Sequence, residues 1–338
     1  MKKLNFLGFP IALLYGLGMQ LRNMLFKSGI LYSNSIPLPS IGVGNLSVGG
    51  TGKSVVIMYL LDLLSERKKV GVLSRGYKRI TKGVLQADKD SSAATIGDEP
   101  YQFYKAYPGI DVVVAEKRQE GVRHFQESLP SVEVLLLDDV YQHQYVTPSL
   151  MVLTTSFDAP FYRDFLLPVG NLREPRNGKS RADIILVTKC PRGIDAKQKQ
   201  EILNAIKPAL HQKVYFTTIK YSEWIQNETE KKHLKSFLTA PFVLVTGIAN
   251  AAPLVSYLHE LGLEFEHLAF PDHHLFSKKE AAEIAKQSKE RFILTTQKDY
   301  HRLLLNWKST QIYYLPIQMQ FLFAEEEQQF KHQIASVM

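Results

Sequence analysis

One segment limits the folds open to this chain more than any other: Gly44-Asn45-Leu46-Ser47-Val48-Gly49-Gly50-Thr51-Gly52-Lys53-Ser54. An apolar, β-rich run over residues 36–43 precedes it, and an amphipathic helical pattern over residues 54–66 follows it. Glycines between a strand and a helix let successive backbone N–H groups turn inward, and the helix adds its N-terminal partial charge. The result is a phosphate cradle, and its context is a P-loop α/β domain. Ser47, Val48, Gly49, Gly50, Thr51, Gly52, Lys53 and Ser54 are the expected nucleotide contacts. Lys53 is placed to reach the β- and γ-phosphates of ATP, and the Ser54 hydroxyl to ligate Mg²⁺. The general pattern asks for Gly where this chain has Ser47, and Gly49, Gly50 and Gly52 still supply the flexibility.

Strand and helix patterns alternate through the rest of the chain. Strands are expected over residues 70–74, 111–114, 132–137, 151–154, 184–188, 214–217, 242–246, 265–268, 292–295 and 312–315. Helices are expected over residues 116–127, 196–207, 252–261 and 278–289. Such alternation predicts parallel sheets with helices on both faces. So many strands exceed an ordinary open sheet. The 338 residues therefore read as an N-terminal apolar helix (1–32), a P-loop kinase-like domain (33–209) and a smaller α/β domain (210–338).

The strand over residues 132–137 ends in Asp138-Asp139, in the manner of a Walker B element. A buried strand delivers such carboxylates to the crevice where open α/β sheets bind ligands. There Asp138 or Asp139 can hold Mg²⁺, directly or through water.

Charge and hydropathy narrow the partners. The net charge is +8, and no Asp or Glu occurs before Asp62, whereas Lys2, Lys3, Arg22, Lys27 and Lys53 all do. A second basic run follows over residues 67–82. Both point to an anionic partner or to a solvated basic face. Residues 4–21 carry no charge but are broken by Pro10, Gly16 and Gly18, a poor spanning helix. A signal peptide would put the P-loop outside the compartment of ATP. The expectation is a helix in the membrane interface, with burial against the protein's own core as the alternative. The single Cys190 excludes an internal disulfide and a cysteine-built zinc site.

Several ordered motifs together resemble one family, the tetraacyldisaccharide 4′-kinases of lipid A synthesis. They are the loop above, Leu73-Ser74-Arg75-Gly76-Tyr77, Gly97-Asp98-Glu99-Pro100, Leu137-Asp138-Asp139 with Gln142-His143, Leu172-Arg173-Glu174-Pro175, Val187-Thr188-Lys189-Cys190-Pro191 and Phe270-Pro271-Asp272-His273-His274. Val140-Tyr141 and Gln297 depart from the usual Gly-Phe and Glu. The resemblance implies transfer of the ATP γ-phosphate to the 4′-hydroxyl of an acylated glucosamine disaccharide 1-phosphate, at the cytoplasmic face of the inner membrane. An anionic, amphiphilic substrate explains the apolar helix and the basic runs together, with no nucleic acid or obligate protein partner implied.

An acceptor hydroxyl must lose its proton. Asp98 is the expected base, with an N-cap role as its alternative; the resemblance assigns His273 as its assistant, with Asp272 behind. Arg75, Arg118 and Asn45 are the expected substrate contacts, and Glu174 is expected near the metal with Ser54, Asp138 and Asp139. The rival function is a P-loop GTPase or metallochaperone. It is disfavoured because Thr188 and Pro191 stand where a guanine reader has Asn and Asp.

Overall fold

In the strand Val134–Asp138, Val134 and Leu136 point into one apolar layer while Leu135 and Leu137 point into another. The computed structural model describes residues 8–338. One layer is built from Val56, Ile57, Leu60 and Leu61 of the P-loop helix Lys53–Leu64, with Phe330 and Ile334 of the C-terminal helix Ala324–Ala335. The other receives Val122 and Phe125 from the helix Arg118–Ser128. The large sheet is thus covered on both faces, as its apolar strands require.

Its nine strands run, in spatial order, Ile317–Phe321, Lys213–Tyr221, Ile184–Thr188, Leu150–Ser156, Ser40–Gly44, Val134–Asp138, Val70–Ser74, Asp111–Val114 and Leu85–Gln86. All neighbours are parallel except at the two edges. A division at residue 209 does not follow this sheet. Lys213–Tyr221 pairs in parallel with Ile184–Thr188, and Ile317–Phe321 returns to pair antiparallel with Lys213–Tyr221. The smaller, six-stranded sheet uses strands from Trp224 to Leu315 and is an insertion between those two neighbouring strands. The expected strand over residues 312–315 stops at Pro316 and serves the small sheet; Ile317–Phe321, a strand not expected from the sequence, joins the large one. The small sheet is also covered twice: Phe242 and Leu244 meet Leu254 and Leu258, while Val243 and Val245 meet Ile284, Tyr300 and Leu303.

The N-terminal helix runs Phe9–Lys27, with Pro10 in its first turn. Lys2, Lys3 and the apolar residues 4–7 of the expected segment lie outside the described residues. Only a narrow stripe of the helix faces the protein. Ala12 and Gly16 are buried, and a Cβ on Gly16 would lie 2.6 Å from Leu166 Cδ1. Tyr15 Oη donates to the Arg173 carbonyl at 2.6 Å and Arg22 to the Gln142 carbonyl at 2.9 Å. Ile11, Leu13, Leu14, Leu17, Leu21 and Met24 are exposed, so this is not a core helix. Among the described residues, no helix is long and apolar enough to cross a membrane.

Candidate active site

The P-loop leaves the C-terminal end of Ser40–Gly44 and curls at two positive-φ glycines, Gly49 (φ +100°) and Gly52 (φ +86°). A side chain at either would be strained. Ser47 needs no such freedom: its backbone is not in the positive-φ region, and it bridges antiparallel to Leu172. The loop is tied down from outside. The Thr51 and Thr154 hydroxyls lie 2.7 Å apart, Thr188 Oγ1 donates to the Thr51 carbonyl at 2.8 Å, and the Lys189 ammonium donates to the Gly50 carbonyl at 2.5 Å. Thr188 and Lys189, at the guanine-reading position of the rival class, therefore hold the loop itself.

Lys53 Nζ lies 3.4 Å from Asp139 Oδ1 and 3.3 Å from Asn45 Oδ1. Arg173 grips both oxygens of Asp139, at 3.1 and 2.9 Å, and also donates to Asn45 Oδ1. Burial pushes the Asp139 carboxyl up, but Lys53 and Arg173 outweigh it and hold the group well below the usual carboxylate range. Asp138 has the opposite character. Ser74 Oγ donates to its Oδ2 at 2.8 Å, while its buried Oδ1 has no partner. Burial, with Glu99 and Asp139 nearby, pushes its carboxyl up to about 7.

Three expected contacts are buried among protein partners. The Glu174 carboxylate is buried behind the loop, where it takes Arg181 at 2.6 Å and Gln142 at 2.7 Å, so it is not at Ser54. Arg118 is buried, and its guanidinium donates to the carbonyls of Ala115 (2.6 Å) and Asp138 (3.0 Å) at the Walker B turn. Asn45 is also buried, with its amide oxygen shared by Lys53 and Arg173. Arg75 alone of the expected substrate contacts is exposed, just beyond the strand Val70–Ser74.

Asp98 and Glu99 open the helix Asp98–Ala106 and face different partners. Gly97 is the N-cap, so Asp98 is not the capping residue. Asp98 Oδ2 receives His273 Nδ1 at 3.3 Å and Arg302 through Nε (3.1 Å) and Nη2 (2.5 Å). Arg302 is itself anchored by Asp299 at 2.9 Å and the Gly247 carbonyl at 3.2 Å. Burial raises Asp98, but the bonds from His273 and Arg302 prevail and leave it at about 2. Asp272 lies 3.9 Å from His273 Nε2, at the outer end of the series. Glu99 accepts from Ser54 Oγ at 2.5 Å and from Lys298 Nζ at 2.8 Å. Burial raises it, yet Lys298 and Lys53 bring it to about 2.

Among the described residues, no group of three or more His, Cys, Asp or Glu gathers as a self-sufficient metal site. The residues present nonetheless fit Mg²⁺, which takes one or two carboxylates and leaves the rest of its shell to phosphates and water. Ser54, Glu99 and the unpartnered Oδ1 of Asp138 supply hard oxygen donors of that kind.

Sequence reading missed Glu99, Lys298 and Arg302. The first sits inside a quoted motif, but nothing local says that Asp98 turns to one side and Glu99 to the other. The other two arrive from residues 297–304 of the insertion, about two hundred positions away.

Comparison with known proteins agrees with this geometry. The family model described as tetraacyldisaccharide-1-P 4′-kinase matches residues 4–338. The tetraacyldisaccharide 4′-kinase of Flavobacterium johnsoniae is 43% identical over 93% of this chain and 92% of its own. That of Bacteroides thetaiotaomicron is 37% identical over 97% and 92%. A solved structure of LpxK from Aquifex aeolicus, in complex with ATP, superposes with a TM-score of 0.79 at 30% identity, covering 98% of each chain. The family match runs over nearly the whole chain, and relatives well above a third identical share its length: this chain belongs to the tetraacyldisaccharide-1-P 4′-kinase family.

Proposed function

We propose that this protein transfers the γ-phosphoryl group of ATP to the 4′-hydroxyl of a tetraacyl glucosamine disaccharide 1-phosphate. The observation that carries the reading is the adjacency of Asp98 and Glu99. One carboxylate belongs to a His–Arg cluster fit to receive a proton, and the next one touches Ser54 of the phosphate loop. A nucleotide in the loop would therefore present its γ-phosphate beside the group that takes the acceptor's proton.

The roles follow from the contacts. The loop N–H groups and Lys53 bind the triphosphate, and Lys53 is kept in place by Asn45 and Asp139. Ser54, Glu99 and Asp138 would hold Mg²⁺, which would supply positive charge against the phosphates. Asp98, held by Arg302 and supported by His273, orients the hydroxyl and takes its proton as the new P–O bond forms. Arg75, exposed at the rim, suits the substrate's 1-phosphate. With γ-labelled ATP, Mg²⁺ and the disaccharide 1-phosphate in detergent, label should appear in a bis-phosphorylated lipid. An ATP-binding, folded protein that leaves the lipid unlabelled would sink the reading.

The same reading puts the protein on the cytoplasmic face of the inner membrane, docked by its first helix. Leu13, Leu14 and Leu17 face solvent, and Arg22 and Lys27 lie beyond them. Each leucine entering lipid contributes roughly 1.5–3 kcal/mol. The triple change to glutamine is expected to weaken co-sedimentation with anionic vesicles by at least about a hundredfold, with burial in the interface less complete than full transfer to hydrocarbon. Equal sedimentation of both proteins would exclude this docking mode.

A further inference from the structure

We propose that Lys298, carried by the inserted unit, holds the divalent-cation position between Ser54 and Glu99 and competes with the cation for Glu99. Its Nζ lies 2.8 Å from Glu99 Oε1 and 3.5 Å from Ser54 Oγ. It donates toward the oxygen lone pairs that a hard cation would take, because an ammonium and Mg²⁺ seek the same acceptors. Among the described residues, Lys298 is the cation paired directly with Glu99: Lys53 lowers Glu99 only through its charge and pairs with Asp139, as does Arg173, while Arg302 pairs with Asp98 and Asp299.

The backbone of Lys298 is fixed by its neighbours, while its ammonium is held by one ion pair and one long hydrogen bond. On one side Gln297 accepts a buried hydrogen bond from Gln102 at 2.8 Å, and one turn on, Arg302 grips Asp98. Both tie the helix Gln297–Leu304 to the helix Asp98–Ala106. Among the described residues, Glu99 and Ser54 are the hydrogen-bonding partners of the Lys298 side chain, which has a flexible stem and a compact charge. The ion pair is partly exposed, and such a pair contributes little stability by itself. A cation arriving at Ser54 and Glu99 therefore displaces the ammonium at small cost. The released Lys298 then faces the triphosphate beside the same loop. Cation arrival and the inserted unit are in this way linked at one carboxylate.

The inference deepens the phosphotransfer reading but is tested by cation binding alone, so a failure of lipid phosphorylation would leave it standing or falling separately. Mn²⁺ serves as the probe, with its free concentration followed by electron paramagnetic resonance in nucleotide-free protein. Lys298→Met is expected to bind Mn²⁺ up to about tenfold more tightly than wild type, the size of a released competing ion pair, and Lys298→Arg to stay near wild type. Unchanged or weaker Mn²⁺ binding by Lys298→Met would overturn the proposal. A second measurement needs no variant. In the wild-type protein, added Mg²⁺ should increase amine-reactive labelling at Lys298, read by mass spectrometry, while Lys68 stays constant as an internal reference. Labelling of Lys298 that ignores Mg²⁺ also overturns it.

Discussion

Lys53→Ala is expected to lower kcat for lipid phosphorylation by roughly 10²- to 10³-fold, the loss typical of removing one preorganised electrostatic contact to a transition state. The protein should still fold. Lys53 is not part of the apolar layers, and its partners Asn45 and Asp139 keep Arg173 as a shared donor. Its removal also takes away a charge that holds Asp139 and Glu99 in their ionised forms. Nucleotide affinity should therefore fall as well, because the pocket becomes more negative just where phosphates enter. Single-turnover rates with labelled ATP, beside binding of a fluorescent ATP analogue, separate the two effects. A loss of binding with kcat at saturation untouched would show that Lys53 contributes only ground-state affinity.

The large sheet was legible because its signals are local. The loop, the flanking strand and helix, and the acidic end of Val134–Asp138 lie within short windows whose periodicity is diagnostic. The insertion was half legible. Four of its six strands were expected, but not Trp224–Gln226 or Lys231–His233, and its limits were hidden because Ile317–Phe321 was not expected and Lys213–Tyr221 has no feature that names its neighbour. At the site, sequence reading placed Lys53, Ser54, Asp138, Asp139, Asp98 and His273 in one crevice, and the geometry joins them through Glu99 and Asn45. It did not show the protein partners that Glu174, Arg118 and Asn45 have. Whether an arginine or a carboxylate faces substrate or props a loop depends on which buried carbonyl or cation lies beside it. That is tertiary information. Tyr141 illustrates the same limit: the departure from the usual Phe gains a hydroxyl that donates to the Gly178 carbonyl at 2.8 Å, a partner 37 residues on.

Asp98→Asn should lower kcat by roughly 10²- to 10⁴-fold, the range for a lost general base, with ATP-analogue binding nearly unchanged. The substitution keeps size and part of the hydrogen bonding to Arg302, so the difference isolates the ability to accept a proton. A carboxyl at about 2 is a weak acceptor by itself, which raises the question of how it serves. A loose phosphoryl-transfer transition state answers it. The hydroxyl sheds its proton late, as bonding to phosphorus makes it acidic, so orientation by an ionised Asp98 matters more than basicity, and His273 at 3.3 Å stabilises the proton's arrival. The sign of the pH dependence follows. Asp98, depressed from its usual value, stabilises the fold above about pH 4 and loses that contribution only as pH falls toward 2. It cannot cause a decline in activity near neutrality. Asp138 can, since its carboxyl is pushed up to about 7 and must be ionised to hold a cation. The acid side of the rate profile should accordingly fall near pH 7 and move to lower pH as Mg²⁺ is raised, because the cation displaces the proton. His273→Gln should lower the plateau and leave that Mg²⁺-dependent limb in place. An acid limb indifferent to Mg²⁺ would assign it to a group other than Asp138.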